Sequence, residues 1–315
     1  LSGRGRKKEN GYLDNQMKKI YTIMFVISLA LFVASVGALG MYGLNFGVDF
    51  KGGSIIELEF KNGAPNIEEV KEHLSKLDDL RDKEVSVNSV GERGVIVRTG
   101  DLTEKSHQTI VSSIGGKFPN AGVEEKRFES VGPAIGKELR NKSITAILIV
   151  LIAIMTYIAF AFRKLSRTLP LWAMNVAAIV GLLHDIVIPL GVFAILGHFL
   201  NVQIGAVFVA AILTILGYTI SDKVVIFDRV RENILRGAKA DLGTLVHKSV
   251  MQTLVRSINN TLTVMLSSFA MFLFGGESIK YFALALMIGI FLGAYSSIFV
   301  ASPLLVWLTA KRGRS

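Results

Sequence analysis

The chain has 315 residues, 51% of them hydrophobic, with a mean hydropathy of +0.48, which excludes an ordinary soluble domain of this size and points to a membrane protein. Its formal charge of +10 is carried by Lys and Arg clustered at the ends and between apolar segments, a distribution that orients membrane proteins rather than one that binds nucleic acid. With no cysteine, disulfides, thiolate metal sites and thiol nucleophiles are excluded.

Residues 1–19 form a basic segment containing Arg4, Arg6, Lys7, Lys8, Lys18 and Lys19, which the positive-inside rule places in the cytoplasm. The chain opens on Leu1 rather than Met, so trimming, processing or a longer parent polypeptide is expected. The first transmembrane helix is predicted over 20–44, too long an apolar run for a signal-peptide core.

Residues 45–142 have the composition of a soluble domain, expected on the extracytoplasmic side. Ser54 to Phe60 alternates like a strand, and Ile67 to Leu80 has helical spacing through Val70, Leu74 and Leu77. Two short strands, Val85 to Val90 and Val95 to Thr99, flank the turn Gly91 to Gly94. Thr103 caps a second helix to Ile114, and Val123 to Val131 is the last strand. The order βαββαβ predicts a small α+β ferredoxin-like sandwich.

Residues 143–308 are predicted to hold helices 2–6, at about 144–162, 169–196, 204–227, 254–274 and 281–308. Arg163, Lys164 and Arg167 follow the second span. The link 197–203 carries no Lys or Arg and is expected outside; Asp228 to Ser257 reads as a charged cytoplasmic connection with helical spacing. The tail 309–315, with Lys311, Arg312 and Arg314, is again basic, so six spans leave both termini in the cytoplasm.

The charges within spans are the candidates for function, because an ionised side chain in hydrocarbon is costly without a partner. Asp222 and Lys223 enter the fourth span before it ends at Phe227, which places Asp222 roughly 8 Å inside the cytoplasmic boundary. A solvated interfacial carboxylate is one reading. The other draws on Arg256, at matching depth in the fifth span, followed by Asn260, Thr263 and Ser267 along one helix face. That stripe either glues helices together or lines a polar site. Lys223 is expected to snorkel toward the cytosol, the alternative being that it joins the relay. Asp185, mid-span beside His184, either relays protons or hydrogen-bonds neighbouring helices. Asp49 precedes Gly52 and Gly53, which open the first strand of the outer domain. No phosphate loop, metal-ligand spacing or nucleophile motif is present, and no cofactor is implied.

Five segments, FGVDFKGGS (Phe46 to Ser54), VGPAIGKEL (Val131 to Leu139), LLHDIVIPLG (Leu182 to Gly191), GYTISDKVVIFDRVREN (Gly217 to Asn233) and TLVRSINNTLT (Thr253 to Thr263), fall in order over nearly the whole chain. Together they resemble the SecF family, the smaller partner of the SecD/SecF protein-export pair, related to proton-driven RND transporters. The resemblance implies a bacterial inner-membrane subunit that uses the proton motive force to promote export of unfolded preprotein. Its implied partners are SecD and the SecYEG channel with its motor ATPase, with YajC and YidC as further candidates. It implies that Asp222 and Arg256 belong to the proton site, and that Asp49, Gly52 and Gly53 couple the outer domain to the membrane helices. Lys223 departs from the family, which carries a small hydroxyl residue there. A half-transporter for small molecules and an unenergised scaffold of the translocon are the alternative functions.

Overall fold

The computed structural model describes residues 2–81, 83–163, 170–236 and 240–310, with side chains from Lys18 onward except at 277, 278 and 310. Lys164, Arg167, Lys311, Arg312 and Arg314 lie outside the described residues, as do the side chains of Arg4, Arg6, Lys7 and Lys8. In chain order the elements are α1 (Ser2–Tyr42), α2 (Val48–Lys51), β1 (Gly53–Phe60), α3 (Ile67–Ser75), β2 (Ser86–Val90), β3 (Gly94–Thr99), α4 (Glu104–Lys117), β4 (Val123–Val131), α5 (Pro133–Ala161), α6 (Leu171–Leu200), α7 (Ala206–Leu235), α8 (Leu242–Phe274), α9 (Glu277–Ser296) and α10 (Ser302–Ala310). They divide into two compact units.

One unit holds residues 46–145 and 203–206. Its four strands form an antiparallel sheet in the order β2-β3-β1-β4, the arrangement of a split βαβ sandwich. Alternation along β1 sends Ile56, Leu58 and Phe60 to a face covered by Val70 and Leu74 of α3 and Ile110 and Ile114 of α4. Each such fully buried side chain contributes about 1.5–3 kcal/mol. Asn66 and Thr103 cap α3 and α4, accepting from Glu68 N and Ser106 N.

The sequence expectation fails at the end of α3. The helix stops at Ser75, Leu77 turns extended, and a separate 3₁₀ turn over Asp78–Leu80 carries Leu80 into the core. A continued helix would place Asp78 and Asp79 at its C-terminus, against the macrodipole. The short helix α2 was not foreseen either; it folds Phe46 to Lys51 back so that Phe46 bridges Ile204.

The other unit is helical. Among the described residues six runs are long and apolar enough to cross a membrane: Lys18–Tyr42, Pro133–Ala161, Leu171–Leu200, Ala206–Leu235, Leu242–Phe274 and Ile279–Thr309. α6 is central, packing on α1, α9, α10 and the π-helical segment Ser297–Ala301 that joins the last two. Its small residues Ala173, Ala177, Ala178, Gly181 and Ala194 admit these neighbours closely.

Three boundaries differ from the sequence reading. α6 runs to Leu200, so the link shortens to residues 201–205. α7 continues past the apolar stretch that ends at Phe227 to Leu235, with charges pairing along the helix: Arg231 with Asp228 at 3.1 Å, Arg229 with Glu232 at 2.6 Å. α8 starts at Leu242, so the second half of the charged connection and the fifth span form one continuous helix with a polar first half.

Candidate functional site

Asp222 sits near the middle of α7. It lies sixteen residues past Ala206, about 24 Å along the helix, with thirteen residues still to run before Leu235. Asp185 lies fourteen residues past Leu171 and fifteen before Leu200, midway along α6. Two carboxylates therefore occupy the middle of adjacent sequence spans, and each is buried: Asp185 is 0% exposed and Asp222 7%.

Their surroundings differ. Lys223 does not snorkel. Its side chain is fully buried and its Nζ donates to Asp185 Oδ2 at 2.7 Å, with Thr219 O at 3.4 Å as a second acceptor. The other oxygen of Asp185, Oδ1, lies 3.1 Å from Nδ1 of His184. The His184 ring in turn stacks on Tyr295 of α9, whose hydroxyl donates to Met24 O of α1 at 2.7 Å. His184 Nε2 is buried without a hydrogen-bond partner among the described residues.

Glycines make the room. A Cβ on Gly181 would lie 2.5 Å from Cε of Lys223, and one on Gly293 would lie 2.0 Å from Cγ2 of Thr219. α7 can therefore press Thr219 and Lys223 between α6 and α9 only because both neighbours lack a side chain at the contact.

Asp222 faces the other way, toward α8. Its Oδ2 accepts from the hydroxyl of Ser257 at 2.8 Å. Arg256, the preceding residue on α8, is exposed and forms no ion pair with Asp222 among the described residues. The stripe anticipated from Arg256 through Asn260, Thr263 and Ser267 is exposed rather than buried, and the hydroxyls of Thr263 and Ser267 bond back to their own helix at Asn259 O and Thr263 O. The buried polar face of α8 is the neighbouring one, Ser249, Thr253, Ser257 and Thr261. Its spacing of four was readable in the sequence, but the charge of Arg256 drew attention to the adjacent face. Near one end of the same contact, Asn233 of α7 donates to Ser249 Oγ at 2.8 Å and Gln252 Oε1 at 3.0 Å.

Asp49, Gly52 and Gly53 do not join this cluster. Asp49 Oδ2 accepts from Ala206 N at 2.7 Å, capping the first residue of α7 from a distant part of the chain. Gly47 N donates to Ile204 O at 2.9 Å beside it. Gly52 and Gly53 have φ of +82° and +134°; a Cβ on the first would lie 2.7 Å from Pro133 Cα and on the second 2.6 Å from Thr99 O. Only glycine supplies that backbone and that clearance. Gly136 packs on the same bend, within 2.9 Å of Gly52 N for an added Cβ.

In chemical terms the helical unit contains a buried, charge-compensated Lys–Asp pair braced by a histidine, and a second buried carboxylate held by a hydroxyl. Such groups can store and exchange protons; no group of three or more metal-ligating side chains occurs among the described residues.

Residues 113–311 match the family described as protein export membrane protein SecD/SecF, C-terminal, and residues 37–64 match the SecD/SecF GG motif, which contains Gly52 and Gly53. The chain is 40% identical over 294 residues to the protein translocase subunit SecF of Thermobaculum terrenum, covering 90% of each chain. It is 36% identical over 264 residues to the protein translocase subunit SecDF of Brucella abortus, covering 84% of this chain and 33% of that one. A crystal structure of SecDF from Thermus, a translocon-associated membrane protein, superposes with a TM-score of 0.78 at 31% identity, covering 93% of this chain and 38% of the solved one. With the two family matches together spanning the sheet unit's glycine bend and the helices that carry Asp185 and Asp222, the chain belongs to the SecD/SecF family of protein export membrane proteins.

Proposed function

We propose that this chain is the SecF-type subunit of a preprotein translocase, working with SecD at the SecYEG channel and drawing on the proton motive force to promote export. The observation that carries the reading is Asp222: a carboxylate midway along a membrane-length helix, 7% exposed, whose protein partner is a neutral hydroxyl. A serine hydroxyl donates to a carboxylate and accepts from a carboxylic acid, so the site accommodates either protonation state. Arg256 lies on the same turn of α8 as Ser257 and makes no ion pair with Asp222 among the described residues; in the proposed cycle it closes on Asp222 when the carboxyl ionises and is released on protonation.

A proton crossing at roughly 150–200 mV carries roughly 3.5–4.6 kcal/mol. A full two-state reversal from 1:99 to 99:1 needs about 5.5 kcal/mol, so one proton biases the rearrangement and substrate contacts complete it. Asp49 and the glycine bend support a coupling role, since the backbone they hold leads directly into α7 at Ala206 and into α5 at Pro133.

The relatives named SecDF support SecD as the partner, and the exposed polar face of α8 at Arg256, Asn259, Asn260 and Thr263 supports a polypeptide rather than lipid against it. YajC and YidC are further candidate partners. The positive-inside rule supports an inner-membrane protein with both termini in the cytoplasm and the sheet domain outside, where it meets unfolded preprotein. The absence of a hydrolase motif in the sequence supports a translocation component rather than an enzyme.

Pulse-chase maturation of a signal-bearing precursor in cells that depend on this chain tests the reading. Wild type is expected to restore processing, Asp222→Asn and Arg256→Met to slow it, each at normal abundance. Full processing by both variants removes the proton-driven function and leaves the scaffold alternative.

A further inference from the structure

Lys223 is the residue that the proposed mechanism does not use, and like Asp185 it is 0% exposed. We infer that Lys223 keeps Asp185 as a permanent ion pair, so that Asp222 is the one carboxyl of this bundle that exchanges a proton in a coupling cycle. The inference rests on the proton-driven reading above and assigns a division of labour between its two buried carboxylates.

The geometry around Asp185 suits the ionised form. Both oxygens are taken by nitrogens: Oδ2 by the Lys223 ammonium at 2.7 Å and Oδ1 by His184 Nδ1 at 3.1 Å. An ammonium has three donors and no acceptor, so a proton on Oδ2 would point at a group that cannot receive it. Among the described residues Lys223 bonds one carboxylate, that of Asp185, and its second acceptor is Thr219 O at 3.4 Å. Neutralising Asp185 would strand an ammonium at mid-span, and breaking one half of a buried pair is far costlier than losing both halves. The packing is built for the lysine, since Gly181 clears its Cε and Gly293 clears Thr219.

Asp222 has the opposite environment. Ser257 satisfies it in either protonation state, and no cation bonds it among the described residues. Among the described residues, the titratable and charged groups that act on the two carboxylates or contact His184 are His184 on α6, Tyr218 and Lys223 on α7, Arg256 on α8 and Tyr295 on α9, while Tyr21 of α1 is engaged with His247 at 3.0 Å. Tyr295 stacks on His184 and sends its hydroxyl to Met24 O, away from Asp185.

Infrared difference spectra of the full-length protein in lipid, recorded across a pH titration, read protonated carboxyls directly. Wild type is expected to show one protonation-dependent buried carboxyl band, lost in Asp222→Asn and unchanged in the charge-neutral double variant Asp185→Asn/Lys223→Met. The single variant Lys223→Met is expected to double the integrated signal, the added band vanishing when Asp185→Asn is combined with it. A wild-type band that disappears in the double variant, or a folded Lys223→Met protein with no added band, overturns the inference. Should Lys223→Met fail to fold, the double variant alone decides. The expected band pattern together with gradient-insensitive export removes the proposed function and upholds the assignment of the pair.

Discussion

Gly181 on α6 and Lys223 on α7 are mutually fitted: a Cβ on the glycine would lie 2.5 Å from Cε of the lysine, inside any tolerable contact. The lysine cannot retreat, because its ammonium is fixed 2.7 Å from Asp185 in a fully buried pair. Gly181→Ala is therefore expected to lower thermal stability in detergent, and Lys223→Met to relieve the clash in the double variant. The coupling between the two sites should be about 1–3 kcal/mol, of the size expected for residues in direct contact. Additive losses would show that the glycine clears something else.

The Asp185–Lys223 pair makes a second demand on stability. Removing one partner leaves a buried charge and is expected to cost about 3–5 kcal/mol, while removing both with residues of similar volume should recover most of it. Thermal unfolding of Asp185→Asn, Lys223→Met and the double variant checks this. A double variant as unstable as the worse single variant would contradict it.

Asp49 caps α7 from outside the helix, bonding Ala206 N at 2.7 Å. Loss of such a cap costs about 1 kcal/mol, so Asp49→Ala is expected to speed amide exchange at Ala206 about fivefold. Gly205 belongs to the same contact, for its Cβ would lie 2.2 Å from Asp49 Oδ2, and Gly205→Ala should give the same signature.

In the sheet domain, Lys126 bonds Glu59 at 2.9 Å and holds its carboxyl below the usual glutamate range, while the carboxylates of Glu59 and Glu124 hold the Lys126 ammonium above the usual lysine range. The sign follows from linkage. Glu59 contributes stability above its unfolded pKa that is lost as pH falls through its lower folded value, and Lys126 contributes stability that is lost as pH rises through its raised value. Both side chains are substantially exposed, so the effect is small and screened by salt. Chemical-shift titration should show Glu59 returning to the ordinary range in Lys126→Met.

The sandwich was legible because strand alternation and helix caps are local: Ile56, Leu58 and Phe60 announce a strand face, and Thr103 announces a helix start. The membrane spans were legible from apolar length, and the charged run after Phe227 was legible from its helical spacing. Hydropathy stops at the first charges, whereas Asp228, Arg229, Arg231 and Glu232 pair along the helix and carry it on to Leu235. The site was half readable. Asp185, His184 and Asp222 stood out as charges in spans, but which of them Lys223 would meet depends on helix rotation and on the clearance at Gly181, neither of which is written in any local pattern. Arg256 drew attention for its charge, while its neighbour Ser257, unremarkable in sequence, is the residue that touches Asp222.

The central claim is that Asp222 carries the proton that energises export. Proteoliposomes containing the complete translocase with this chain, loaded with a precursor and given an imposed proton gradient, test it most directly. Wild type is expected to export more precursor with the gradient than without it. Asp222→Asn should export at the gradient-free rate under both conditions, with ATP-driven export intact. A gradient response in Asp222→Asn equal to that of wild type would contradict the account.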